Sequence, residues 1–102
     1  MNRQQFRDVI EQFYKDNLSL IDRKNADYAA GEDPFRNFRM AEYMGLSTEQ
    51  GIMLRLLDKM ARLANVSAKG GVMEVKDESL DDTLQDICNY TGILYAYRRS
   101  QS

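Results

Sequence analysis

Three long stretches of this chain place apolar residues at three- and four-residue steps, and none alternates as a half-buried strand would. That periodicity commits the chain to helices, and one proline, Pro34, interrupts it in 102 residues. Phe6, Val9, Ile10, Phe13, Tyr14, Leu20 and Ile21 form the first stripe. They predict a helix from about Asn2 to Ala30, ended by Gly31 and Glu32-Asp33-Pro34. A short helix or turn is expected over Phe35 to Met44, stopped by Gly45. Ser47, with Gln50 three residues on, is a capping-box pattern that opens a helix to about Val66. Its stripe is Ile52, Met53, Leu56, Met60 and Leu63. Ser67 to Gly71 reads as a loop. A last helix, capped by Asp77, is expected from about Glu78 to Arg99, with Leu80, Leu84, Ile87, Cys88, Thr91, Leu94 and Tyr95 toward the core. The expected fold is all-α, a small bundle of three long helices and one short helix, in a single domain over 1–102.

Composition excludes several functions. Lys plus Arg is 14 against 16 for Asp plus Glu, a net charge of -2, which argues against a duplex nucleic-acid binder. There is no histidine, so a His general base, a His-activated nucleophile and a His-ligated zinc are all excluded. A single cysteine, Cys88, makes no intrachain disulfide and fits a reducing compartment. No apolar run approaches the roughly 20 residues that span a bilayer. The N-terminus, MNRQQFRDVIEQ, carries charges where a signal peptide has its apolar stretch. A cytoplasmic location away from membranes is expected, and any acid–base chemistry falls to carboxylates, Lys, Tyr or a bound metal.

The polar residues are informative where they meet the stripes. Lys24, Asp27 and Tyr28 continue the side of Phe6, Phe13 and Ile21 at about 100° per residue. Either the core opens there into a ligand cleft, or the helix frays before Lys24. Arg55, Asp58, Lys59 and Arg62 lie at i, i+3, i+4 and i+7, away from the apolar stripe. They read as an exposed ion-pair ladder or as a cationic line that receives phosphates. Glu78, Asp82 and Asp86 align at i, i+4 and i+8, with Asp81 adjacent and Asn89 on the same line. Stacked like charges destabilise a helix unless a hard cation such as Mg²⁺ takes their oxygens; the alternative is a solvated face. Farther on, that side turns apolar at Tyr90, Ile93 and Tyr97. A helix apolar on two sides needs a second packing partner, expected to be another subunit. Phe35 and Phe38 offer either an aromatic platform for a base or a plug for the bundle end.

Taken together, Lys24-x-x-Asp27-Tyr28, Asp33-Pro34-Phe35-x-Asn37-Phe38, Arg55-x-x-Asp58-Lys59-x-x-Arg62 and Glu78-x-x-x-Asp82-x-x-x-Asp86-x-x-Asn89-Tyr90 carry a resemblance. From about Lys24 to Tyr97 the chain resembles the "nucleotide modification associated" small α-helical domains of phages and bacteria, relatives of the MazG-like all-α NTP pyrophosphohydrolases. The resemblance implies a homo-oligomeric bundle that binds a nucleotide, with Mg²⁺ on helix carboxylates. Carried onto this chain, Lys24, Arg55, Lys59 and Arg62 would receive phosphates. Tyr28, Phe35 or Phe38 would contact the base, and Asp27, Asn37, Asn89 and Tyr90 would complete the pocket. Glu78, Asp82 and Asp86 would be the catalytic and metal-ligating acids, with Asp58 or Asp27 as a further ligand. The enzymes carry a Glu-x-x-Glu pair on an earlier helix and a Glu-x-x-Asp on a later one. Here the later helix meets the pattern approximately, whereas Ala61 and Arg62 stand where the second acid of the earlier pair would lie. Three functions follow as expectations. The first is a Mg²⁺-dependent pyrophosphohydrolase acting on (d)NTPs. The second is a non-catalytic protein that sequesters a nucleotide signal, as a phage sponge does. The third is a structural helical interaction module.

Overall fold

The computed structural model describes residues 1–28, 31–68 and 79–102, with residues 27 and 28 described by backbone alone. Four α-helices and one 3₁₀ helix account for most of these residues, and no strand occurs among them.

Helix α1 spans Arg3–Tyr28. Its first turn is closed reciprocally: the Gln5 amide donates to Asn2 Oδ1 at 2.8 Å, and the Asn2 nitrogen donates to Gln5 Oε1 at 2.9 Å. The helix continues past Lys24, so the fraying alternative does not hold. The expected end at Ala30 lies outside the described residues.

The segment expected as one short helix divides into α2, Arg36–Arg39, and a 3₁₀ helix, Met40–Met44. Asp33 sets its start. Its carboxylate accepts the Phe35 amide at 3.0 Å and the Arg39 Nε at 2.6 Å, which folds the chain back after Pro34. Gly45 ends the segment at φ 80°. Gly45 N–H donates to the Glu42 carbonyl at 3.1 Å and Leu46 N–H to the Ala41 carbonyl at 3.2 Å, the paired bonds of a left-handed helix stop.

Helix α3 spans Thr48–Ala68, two residues beyond the expected end. Ser47 and Gln50 form the expected capping box, with bonds of 3.0 and 2.9 Å. Thr48 is buried, and its hydroxyl donates to Glu42 Oε1 at 2.9 Å. At Gly51 the backbones approach closely: a Cβ there would lie 2.8 Å from Ala41 Cβ and 2.9 Å from the Phe38 carbonyl oxygen.

Helix α4 spans Leu80–Ser100 and begins later than expected. Its cap is Ser79, paired reciprocally with Asp82, rather than Asp77, which lies outside the described residues together with Glu78. Helices α3 and α4 run antiparallel, joined along their length by Arg62 to Thr83, Lys59 to Asp86, and Glu49 to Arg98. Helix α1 reaches the pair through Lys24 to Asp86.

The interior reverses part of the expected pattern. On α4 the buried residues are Thr83, Asp86 and Asn89, while Leu84 and Tyr95, expected in the core, are exposed. On α3, Ile52 is buried, but Met53 and Met60 of the expected stripe are exposed. Lys24, Lys59 and Arg62 reach α4 from the other helices and supply partners for Asp86 and Thr83 on this face. Among the described residues, Phe35, Ile52 and Val66 are the buried apolar side chains; Asn17, Thr48, Thr83, Asp86 and Asn89 are the buried polar ones.

Candidate functional site

Where α1, α2 and α4 meet α3, a cavity of about 520 Å³ opens. That falls in the size range of small-molecule and cofactor sites. Lys24 of α1, Phe35 ahead of α2, Asn37 and Phe38 of α2, Arg55 of α3, and Asp86, Asn89 and Tyr90 of α4 all line it. The geometry therefore gathers eight residues that the sequence singles out from four separate segments. Ile21, Pro34 and Ile93, named in the sequence for other reasons, line the cavity too, and so do Asn25, Gly92 and Ala96, which the sequence reading passed over. Gly92 carried a signal of its own, because glycine inside a helix costs about 1 kcal/mol relative to alanine. Nothing in the pattern distinguished Asn25 or Ala96.

Charge concentrates at one end. Asp86 Oδ1 lies 3.2 Å from Lys24 Nζ, and Asp86 Oδ2 lies 3.2 Å from Lys59 Nζ. One carboxylate thus sits between two ammonium groups contributed by different helices. The Asp86 side chain is 12% exposed, whereas those of Lys24 and Lys59 are 45% and 25% exposed. The acid is thus buried, while both lysine side chains that reach it remain partly exposed. This corrects the placement of the α3 cations on a face turned wholly away from the core: Lys59 and Arg62 turn toward α4, and Arg62 Nε donates to Thr83 Oγ1 at 3.2 Å.

Aromatic rings form another wall. Phe35 is buried and meets Tyr97 edge-on, with centroids 5.2 Å apart; Phe38 meets Tyr90 edge-on at 6.3 Å. Each is the T-shaped arrangement that aromatic quadrupoles favour. Asn89 completes the wall. It is 6% exposed, and neither amide atom has a hydrogen-bond partner. A buried amide left this way costs roughly 1–3 kcal/mol. Asn17 of α1, 3% exposed, is orphaned in the same way but does not line the cavity.

Of the acids expected to hold Mg²⁺, Asp58, Asp82 and Asp86 have described side chains. Asp82 Oδ2 accepts the Ser79 amide at 3.2 Å and serves the helix cap. Asp86 is held by the two lysines, and Asp58 is exposed on α3. Glu78 and the side chains of Asp27 and Tyr28 fall outside the described residues. A divalent ion placed on Asp86 would meet two ammonium groups at close range, an arrangement that suits an anion better than a cation.

Fold and cavity together define a small all-α protein with a mostly apolar, aromatic-walled pocket, charged at one end, where its helices meet. In comparisons with known proteins the chain matches no family model, no curated protein and no solved structure. No helix among the described residues is long and apolar enough to cross a membrane.

Proposed function

We infer that this chain binds a nucleotide in the α1–α2–α4 cavity, as part of a homo-oligomer, and holds it without turnover. The observation that carries this reading is the content of one cavity: Lys24 beside Asp86 at one end, Arg55, and the rings of Phe35, Phe38 and Tyr90, with Lys59 behind Asp86 on its other oxygen. Phosphates need cations, preferably with guanidinium or ammonium donors already gathered. A base needs flat apolar surface, and stacking on aromatic side chains contributes about 1–3 kcal/mol per base. Sequestration is favoured over hydrolysis by the state of Asp86, whose two oxygens are already committed to Lys24 and Lys59. Self-association is supported by the exposed apolar side chains Phe6, Val9, Tyr14 and Leu18 on α1, and Leu54, Leu57 and Met60 on α3.

The deciding experiment replaces Asp86 by Asn. In the sequestering reading Asp86 is an internal anion that competes with incoming phosphate for the two lysines. Calorimetric titration with a panel of NTPs and dNTPs, with divalent ions chelated, should show Asp86→Asn binding about tenfold tighter than wild type, the scale of one charge-assisted contact. In the pyrophosphohydrolase reading Asp86 is a metal ligand. The same variant would then lose Mg²⁺-dependent affinity, and the wild type with Mg²⁺ would release pyrophosphate. A wild type that binds no nucleotide under either condition overturns both and leaves the structural module.

A further inference from the structure

The cavity wall that α4 provides is graded along its length. Asp86, with a lysine on each oxygen, marks its charged end. Asn89, three residues on, is buried with an unpartnered amide. Beyond it the lining becomes small or apolar at Gly92, Ile93 and Ala96. From Asp86 to Ala96 the helix rises about 15 Å, which accommodates a base, a ribose and a phosphate chain in line. Phe35 belongs to the apolar end, because its ring rests against Tyr97, the neighbour of Ala96.

Gly92 has no reason for its identity within the chain. It sits inside α4 with ordinary helical backbone, where alanine is the better residue. A Cβ built on it would meet no atom within 4 Å. Packing inside the chain therefore tolerates a side chain there, yet the position lines the cavity and leaves a strip of helix backbone bare. The orphaned Asn89 amide one turn away is a second, separate sign of an occupant: it offers an NH₂ donor group and a carbonyl acceptor that nothing in the chain satisfies.

We propose that the cavity takes its nucleotide in a single orientation, with the phosphates at Lys24 and Arg55 and the base laid on the bare backbone at Gly92. Asn89 is the specificity-determining residue there, its amide pairing with a donor–acceptor edge of the base. This rests on the nucleotide-binding reading and adds the direction of the ligand to it.

The test is Gly92→Leu, with Gly92→Ala as a milder companion. Both replacements are better helix formers than glycine, so melting temperature should hold or rise. The probes are ATP, GTP, CTP, UTP and inorganic tripolyphosphate, titrated calorimetrically. Gly92→Leu should weaken the preferred nucleotide by more than about tenfold while changing tripolyphosphate affinity by less than about twofold. Gly92→Ala should weaken the nucleotide by a smaller factor and leave tripolyphosphate unchanged. Unaltered nucleotide binding in Gly92→Leu overturns the orientation, as does equal loss of both probes. So does a wild type that binds nucleotide but no tripolyphosphate, since the cationic end should hold phosphates unaided. A changed sedimentation coefficient in Gly92→Leu would assign the bare strip to a contact between chains and also overturn the proposal. If the wild type binds none of the five probes, the failure belongs to the nucleotide-binding reading itself.

Discussion

Single residues explain why the chain turns where it does. Asp33 accepts from both the Arg39 guanidinium and the Phe35 amide and so fixes the backbone that carries Phe35 into the cavity wall. The Arg39 guanidinium, and after it the Phe35 amide, keeps the Asp33 carboxyl below its ordinary value of 3.8. A carboxylate whose folded pKa is depressed contributes stability above its unfolded pKa and loses it as pH falls through the folded one. The melting-temperature gap between wild type and Asp33→Asn should therefore be constant above about pH 5 and close on further acidification. A gap that stays open at low pH, or widens, would mean that Asp33 acts through shape rather than charge. Arg39 was invisible as its partner in the sequence, because an Asp and an Arg six apart share no regular helical face and meet only once the turn at Pro34 is made.

At the scale of elements, what was legible was local. Gly45 as a stop, and Ser47 with Gln50 as a start, could be read because each signal is complete within a few residues. The start of α4 was misread for a similar reason: Asp77 and Ser79 are both good caps, and only Ser79 has an acid three residues on to close the box. The facing of α4 was not legible. Leu84 and Tyr95 on one side and Thr83, Asp86 and Asn89 on another both make periodic stripes, and the choice depends on Lys24, Lys59 and Arg62 arriving from other helices. Of the residues the sequence singles out, eight line one cavity, because helical periodicity carries each to the inner side of its own element; that Asp82 closes a helix cap and Asp86 meets two lysines depends on partners the sequence does not place beside them. The junction of α2 and α3 offers a direct test of packing. Gly51→Ala should raise helix propensity yet destabilise the protein by about 1–3 kcal/mol, because the new methyl meets Ala41 and the Phe38 carbonyl. Thermal or urea unfolding reads this directly, and a stabilised variant would show that the two elements separate freely.

At the scale of the whole molecule, burial among the described residues is sparse. The radius of gyration is 15.5 Å, where a compact chain of this length has about 13 Å. Of the α1 stripe, Phe13, Leu20 and Ile21 are half-buried, while Phe6, Val9, Ile10 and Tyr14 are exposed. Copies of the chain packed on these faces would supply the missing apolar contacts. Melting temperature should then rise with protein concentration, and sedimentation at micromolar concentration should give a mass above 11.8 kDa. A concentration-independent melt together with an 11.8 kDa species would refute self-association. Sparse burial also bears on how a binder of the proposed kind would respond to its own abundance. If folding waits on assembly, then mass action governs the number of cavities, and dilute chains capture nothing however tight the finished site. Uptake of ligand would begin at a threshold of protein concentration and then climb more steeply than the protein does.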